Sequence, residues 1–108
     1  MLPKKNRADR KSIEKIFKEG KFLNSPNLTF KFLINNTPSI PQISFIAPKN
    51  VAKLAVKRNL LRRRGYRVLS KHINQFPSGV LGAFIFRKYQ DDTIIIENEI
   101  KNILSKIN

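Results

Sequence analysis

Apolar and polar positions alternate along Leu28-Thr29-Phe30-Lys31-Phe32-Leu33-Ile34. Leu28, Phe30, Phe32 and Ile34 point one way, and Thr29, Lys31 and Leu33 the other, which is strand spacing. Asn35-Asn36-Thr37-Pro38 supplies turn chemistry. A second strand is predicted from Gln42 to Ala47, ended by Pro48. The two strands suggest an antiparallel hairpin with a longish loop. A third strand runs from Val80 to Arg87, reached through Phe76-Pro77-Ser78-Gly79. Helical spacing replaces alternation elsewhere. Ile13, Ile16 and Phe17 share a face, with Asp9 or Ser12 as cap and Gly20 as stop. Leu54, Leu61, Gly65, Val68 and Leu69 share the face of a longer helix that would pack on the sheet. Ile96, Ile100, Ile103, Leu104 and Ile107 make the stripe of a last helix over Thr93 to Ile107, with Thr93 as a candidate cap. Its start, Ile94-Ile95-Ile96, is β-branched and equally compatible with strand. The order is α-β-β-α-β-α, a single α+β domain over residues 1–108 built as a two-layer sandwich on one small mixed sheet.

Charge changes the picture more than composition does. The 108 residues carry 22 Lys+Arg and 7 Asp+Glu, a net charge of +15, with 41% hydrophobic residues. That apolar fraction is ordinary for a folded chain, and the charge excess attracts polyanions. The imbalance is concentrated. Residues 20 to 90 hold thirteen cations and no acid, and eight of those cations lie between Lys49 and Arg67. A charge run is often only a solvated face, but a balanced solvated face mixes signs. The segment therefore reads as a nucleic-acid-binding helix with its leading loop. At 100° per residue, Lys53, Lys57, Arg64, Arg67 and Lys71 fall within a sector of roughly 80°, interrupted at Leu60. Arg63 and Asn59 project on the far side and Arg62 on the opposite shoulder, while Arg58 belongs at the first turn. Arginine forks grip phosphate in two-point contacts that lysine cannot make.

Catalytic chemistry is poorly represented. There is no cysteine, hence no disulfide or thiolate metal site, and His72 is the single histidine. His72 reads as a packing or helix C-terminal residue. Only Asp91 and Asp92 lie together, and adjacent turn carboxylates suit a helix cap better than a metal. No phosphate-cradling glycine loop occurs. No apolar run approaches membrane-spanning length, and nothing hydrophobic follows Met1-Leu2-Pro3-Lys4-Lys5. The expected setting is cytoplasmic, with no membrane and no obligate protein partner. On residues alone, an RNA-binding subunit, a ribosomal or general structured-RNA chaperone, and a DNA-binding protein stay open; a free-standing nuclease is disfavoured by scattered acids.

The run Ala47-Pro48-Lys49-Asn50-Val51-Ala52-Lys53-Leu54-Ala55-Val56-Lys57-Arg58-Asn59-Leu60-Leu61-Arg62-Arg63-Arg64 resembles the signature of the bacterial ribonuclease P protein component. Leu2-Pro3-Lys4-Lys5-Asn6-Arg7 and Ile16-Phe17-Lys18-Glu19-Gly20-Lys21 are similar to the family's opening, Ser25-Pro26 precedes a strand as in the family, and Ala83-Phe84-Ile85-Phe86-Arg87-Lys88 is similar to its last strand. The resemblance implies the protein subunit of a ribonucleoprotein that removes the 5′ leader of precursor tRNA. It further implies that the RNA subunit performs the chemistry with Mg2+, that the protein alone binds no cofactor, and that the partners are ribonuclease P RNA and precursor tRNA. Lys49, Lys53, Lys57, Arg58, Asn59, Arg62, Arg63, Arg64 and Arg67 become the implied RNA-binding set, and Ile13, Phe17 and Lys31 the implied leader cleft. It also implies a left-handed β-α-β crossover, against the usual rule. The chain departs from the pattern at Leu60 and Tyr66, where the family has arginines, and at Ile13 and Lys31, where it has aromatic rings.

Overall fold

A computed structural model describes residues 2–35 and 38–107. The Asn36-Thr37 part of the expected turn lies outside the described residues. A short 3-10 turn, Lys4–Asn6, leads into α1 (Arg10–Glu19). Then follow β1 (Lys21–Asn24), β2 (Leu28–Ile34), β3 (Gln42–Ile46), α2 (Ala55–His72), a 3-10 turn (Ile73–Gln75), β4 (Val80–Phe86) and α3 (Thr93–Ile107). The α+β class holds, with one four-stranded mixed sheet and three helices.

The sheet order is β1-β2-β4-β3. β4 pairs antiparallel with β2, Phe30 opposite Phe84, and parallel with β3, Phe45 opposite Phe84. The expected hairpin between β2 and β3 is therefore not formed. β4 separates them because Val80, Leu81, Gly82, Ala83 and Phe84 are all buried. A strand apolar on both faces gains most in the centre, where each face is covered and each edge is paired. The true hairpin is β1–β2, turned at Ser25-Pro26-Asn27. β1 escapes the periodicity reading because it is four residues long with only Leu23 half-buried.

Strand alternation assigns the two sheet faces. Phe30, Phe45, Phe84 and Phe86 share one face, with the Phe30 and Phe84 rings 4.3 Å apart and the Phe45 and Phe84 rings 5.1 Å apart. Leu61, Val68 and Leu69 of α2 and Ile96, Ile100, Ile103 and Leu104 of α3 close this core. Leu54, expected on that face, is instead the residue before α2 and is 62% exposed. Gly65 lets the α2 backbone lie on Phe45: a Cβ there would come within 2.6 Å of the ring. α1 packs on the other face, where Ile16 meets Leu81 and Ala8. Asp9 caps it by accepting from the Ser12 amide at 2.8 Å. Asp92, not Thr93, caps α3, accepting from the Ile94 amide at 2.9 Å.

Candidate nucleic-acid interface

α2 carries its cations because only one side of it meets the sheet. Leu61, Gly65, Val68, Leu69 and His72 are buried, and the rest of the circumference faces outward. Lys57, Asn59, Arg62, Arg63 and Arg67 are exposed on it, as are Lys49 and Lys53 in the loop before it. The loop begins with a turn in which the Val51 and Ala52 amides donate to the Pro48 carbonyl at 3.1 and 3.3 Å. Lys53 lies in this loop, so the calculated helical stripe starts at Lys57. Arg58 sits at the first turn and folds back, its Nη1 donating to the Ala52 carbonyl at 3.0 Å and the Lys53 carbonyl at 2.7 Å. No side chain caps α2 at Leu54, so the positive end of the helix dipole is left without a side-chain acceptor in the turn that carries Lys57.

Two predicted cations are thus engaged within the protein. Arg58 clasps the loop. Arg64 Nη1 donates to the Asp91 carbonyl at 2.5 Å and lies 3.7 Å from its carboxylate, with both side chains partly exposed. That is the one ion pair to a carboxylate recorded for a lysine or arginine of α2 among the described residues. Leu60 is half-buried and lines a shallow surface hollow with Arg63, Arg64 and Arg67. It is not part of the sealed core.

Asp9, Glu97 and Glu99 are engaged locally. The Ser12 amide and hydroxyl hold the Asp9 carboxyl below the usual carboxylate range. A hydrogen bond from His72, 2.7 Å from Glu97, depresses the Glu97 carboxyl in the same sense. Buried Glu99 accepts from the Asn27 amide at 2.8 Å and from the Ser25 hydroxyl, tying α3 to the β1–β2 turn. No three His, Asp or Glu side chains converge as metal ligands among the described residues. The arrangement presents exposed cations and hydrogen-bond donors, which suit an anionic partner.

A second surface lies on the α1 face of the sheet. Lys31 Nζ stands 5.1 Å from the centre of the Phe17 ring, and Phe17 is 46% exposed. Ile13 is half-buried and packs against the Ala8, Ile16 and Leu81 cluster on this face. Phe22, opposite Lys31 in the β1–β2 register, adds a second exposed ring. Sequence reasoning missed Phe22 because it missed β1. It also missed Arg7, whose guanidinium carbon lies 4.4 Å from the centre of the Tyr66 ring. A lone cation before α1 carries no periodic signal.

The Ribonuclease P family model matches residues 2–108. The chain belongs to the ribonuclease P protein family. No curated protein sequence matches it. The ribonuclease P protein from Thermotoga maritima has the same fold, with a TM-score of 0.80 and 23% identity over 94% of this chain and 97% of that one. The Staphylococcus aureus ribonuclease P protein aligns with a TM-score of 0.77 and 16% identity over 98% of this chain and 100% of that one. As a member of this family, the chain is a subunit with a role in tRNA 5′ processing. None of its described helices is long and apolar enough to cross a membrane.

Proposed function

We propose that this subunit binds the catalytic RNA of ribonuclease P through α2 and the loop before it, and supports removal of the 5′ leader from precursor tRNA. The observation that carries the reading is the exposed set Lys49, Lys53, Lys57, Arg62, Arg63 and Arg67, spread over one helix and its loop without native carboxylate partners. Asn59 adds an amide to the same surface, while Arg58 shapes the loop and Arg64 fixes α2 to the segment leading into α3. The RNA subunit performs the hydrolysis and holds the Mg2+ ions; the protein's residues bind and orient. The leader lies along the α1 face, where Phe17 offers a stacking surface and Lys31 a phosphate contact. Stacking contributes about 1–3 kcal/mol per base.

A cleavage assay at low magnesium tests this. The protein alone leaves precursor tRNA intact, the RNA alone is slow, and the two combined restore 5′ cleavage. Unchanged activity of the RNA on adding protein would sink the proposal. A competition between ribonuclease P RNA and an unrelated structured RNA at moderate salt separates it from general RNA binding.

A further inference from the structure

Guanidinium groups from two separate parts of the chain meet beside the free edge of β3. The segment before α1 runs along that strand. Asn6 Nδ2 donates to the Pro41 carbonyl at 3.0 Å, and Ser44 Oγ donates to the Ala8 carbonyl at 2.8 Å. Between these anchors the Arg7 guanidinium lies on the Tyr66 ring. Tyr66 is itself fixed. Its Oη accepts from the Phe45 amide at 3.1 Å, and its ring meets Phe45 edge-on with centres 5.5 Å apart. Arg7, Asn59, Arg62, Arg63 and Tyr66 line one open hollow of about 390 Å³, and no acid is among them.

Three like charges around one hollow repel one another, and the Arg7 Nε is buried without a hydrogen-bond partner. The ring face of Tyr66 offsets part of that cost. An anion in the hollow would relieve the repulsion, accepting from guanidinium forks that phosphate oxygens fit in pairs. We propose that Arg7, stacked on Tyr66, joins Asn59, Arg62 and Arg63 to bind one backbone phosphate of RNA. This rests on the RNA-binding reading above and extends it to the N-terminal segment. The second cation source is a fixed one: main-chain and side-chain anchors on both sides of Arg7 set its position before RNA arrives, which lowers the ordering cost of binding.

A purely structural Arg7 would seat the N-terminal segment on Tyr66 and nothing more. Binding of ribonuclease P RNA from the same genome, measured across a salt series, separates the two roles. The samples are wild type, Arg7→Gln, Arg7→Lys and Arg62→Gln, with thermal melts on each. Arg7→Gln should weaken binding roughly tenfold at moderate salt and lower the slope of log K against log salt by about one. Arg7→Lys should keep the slope yet recover only part of the affinity, because the ammonium lacks the fork. Wild-type affinity and slope in Arg7→Gln, alongside losses of both in Arg62→Gln, would remove Arg7 from the interface while leaving that interface standing. If Arg7→Gln does not fold, Arg7→Lys decides: full wild-type affinity overturns the stacked-fork site. Wild-type protein that binds this RNA no better than an unrelated one defeats the underlying reading instead.

Discussion

Arg63 and Arg64 are neighbours in sequence with opposite commitments. Arg63 is exposed, while Arg64 donates to the Asp91 carbonyl and lies beside its carboxylate. Arg63→Ala should weaken RNA binding by about 1–3 kcal/mol with little change in melting temperature. Arg64→Ala should do the reverse, costing about 0.5–1.5 kcal/mol of folding stability with a smaller effect on RNA. Paired titrations and thermal melts check both. Leu60 gives a complementary case. It is half-buried on the hollow shared with Arg63, Arg64 and Arg67, so Leu60→Arg should fold. A salt series should show its RNA-binding slope steepened by about one. An unchanged slope would place position 60 outside the interface.

The contact between α2 and β3 shows how one small residue places an element. Ala at position 65 would favour helix by about 1 kcal/mol. Its Cβ would also fall 2.6 Å from the Phe45 ring, which is buried and held by Phe84 and Phe86. Overpacking of a rigid site costs about 1–3 kcal/mol. Gly65→Ala should therefore destabilise by up to about 2 kcal/mol in denaturant unfolding, with RNA affinity reduced as α2 shifts. Elements differ in how plainly the sequence shows them. α1, α2, α3, β2, β3 and β4 are each legible within one segment, from periodicity, an apolar run or the residues that bound them. β1 has neither: four residues on a sheet edge need no alternation, and only their pairing with β2 identifies them. The absent β2–β3 hairpin has the same origin, since proximity in sequence lost to the two-sided burial of β4.

At the scale of the molecule, acidity should act through the few acids. Asp9 and Glu97 are held below the usual carboxylate range by hydrogen bonds in the folded state. Such groups add stability that is fully present above their unfolded pKa and is lost as pH falls through the lower folded value. Acidification also removes negative charge from a chain already at +15, which increases self-repulsion. Melting temperature should thus fall below about pH 4, and Asp9→Asn and Glu97→Gln should each flatten that fall. A pH series of thermal melts reads it directly. An equally steep decline in both variants would assign the acid sensitivity to other groups.

The amino-acid order by itself settled the three helices and the strands β2, β3 and β4, the cation excess, the acid-free middle and the concentration of basic residues on one helix and the loop before it. These are properties of a segment, set by backbone period and by which residues sit in it. Three-dimensional packing decided the strand order, the edge strand, the withdrawal of Arg58 and Arg64 from the free cations, and the meeting of Arg7 with Tyr66. Each of those joins residues distant in the chain, or turns a side chain toward one of several competing partners. Local periodicity carries no information about that choice; the burial of β4 and the anchors along β3 do.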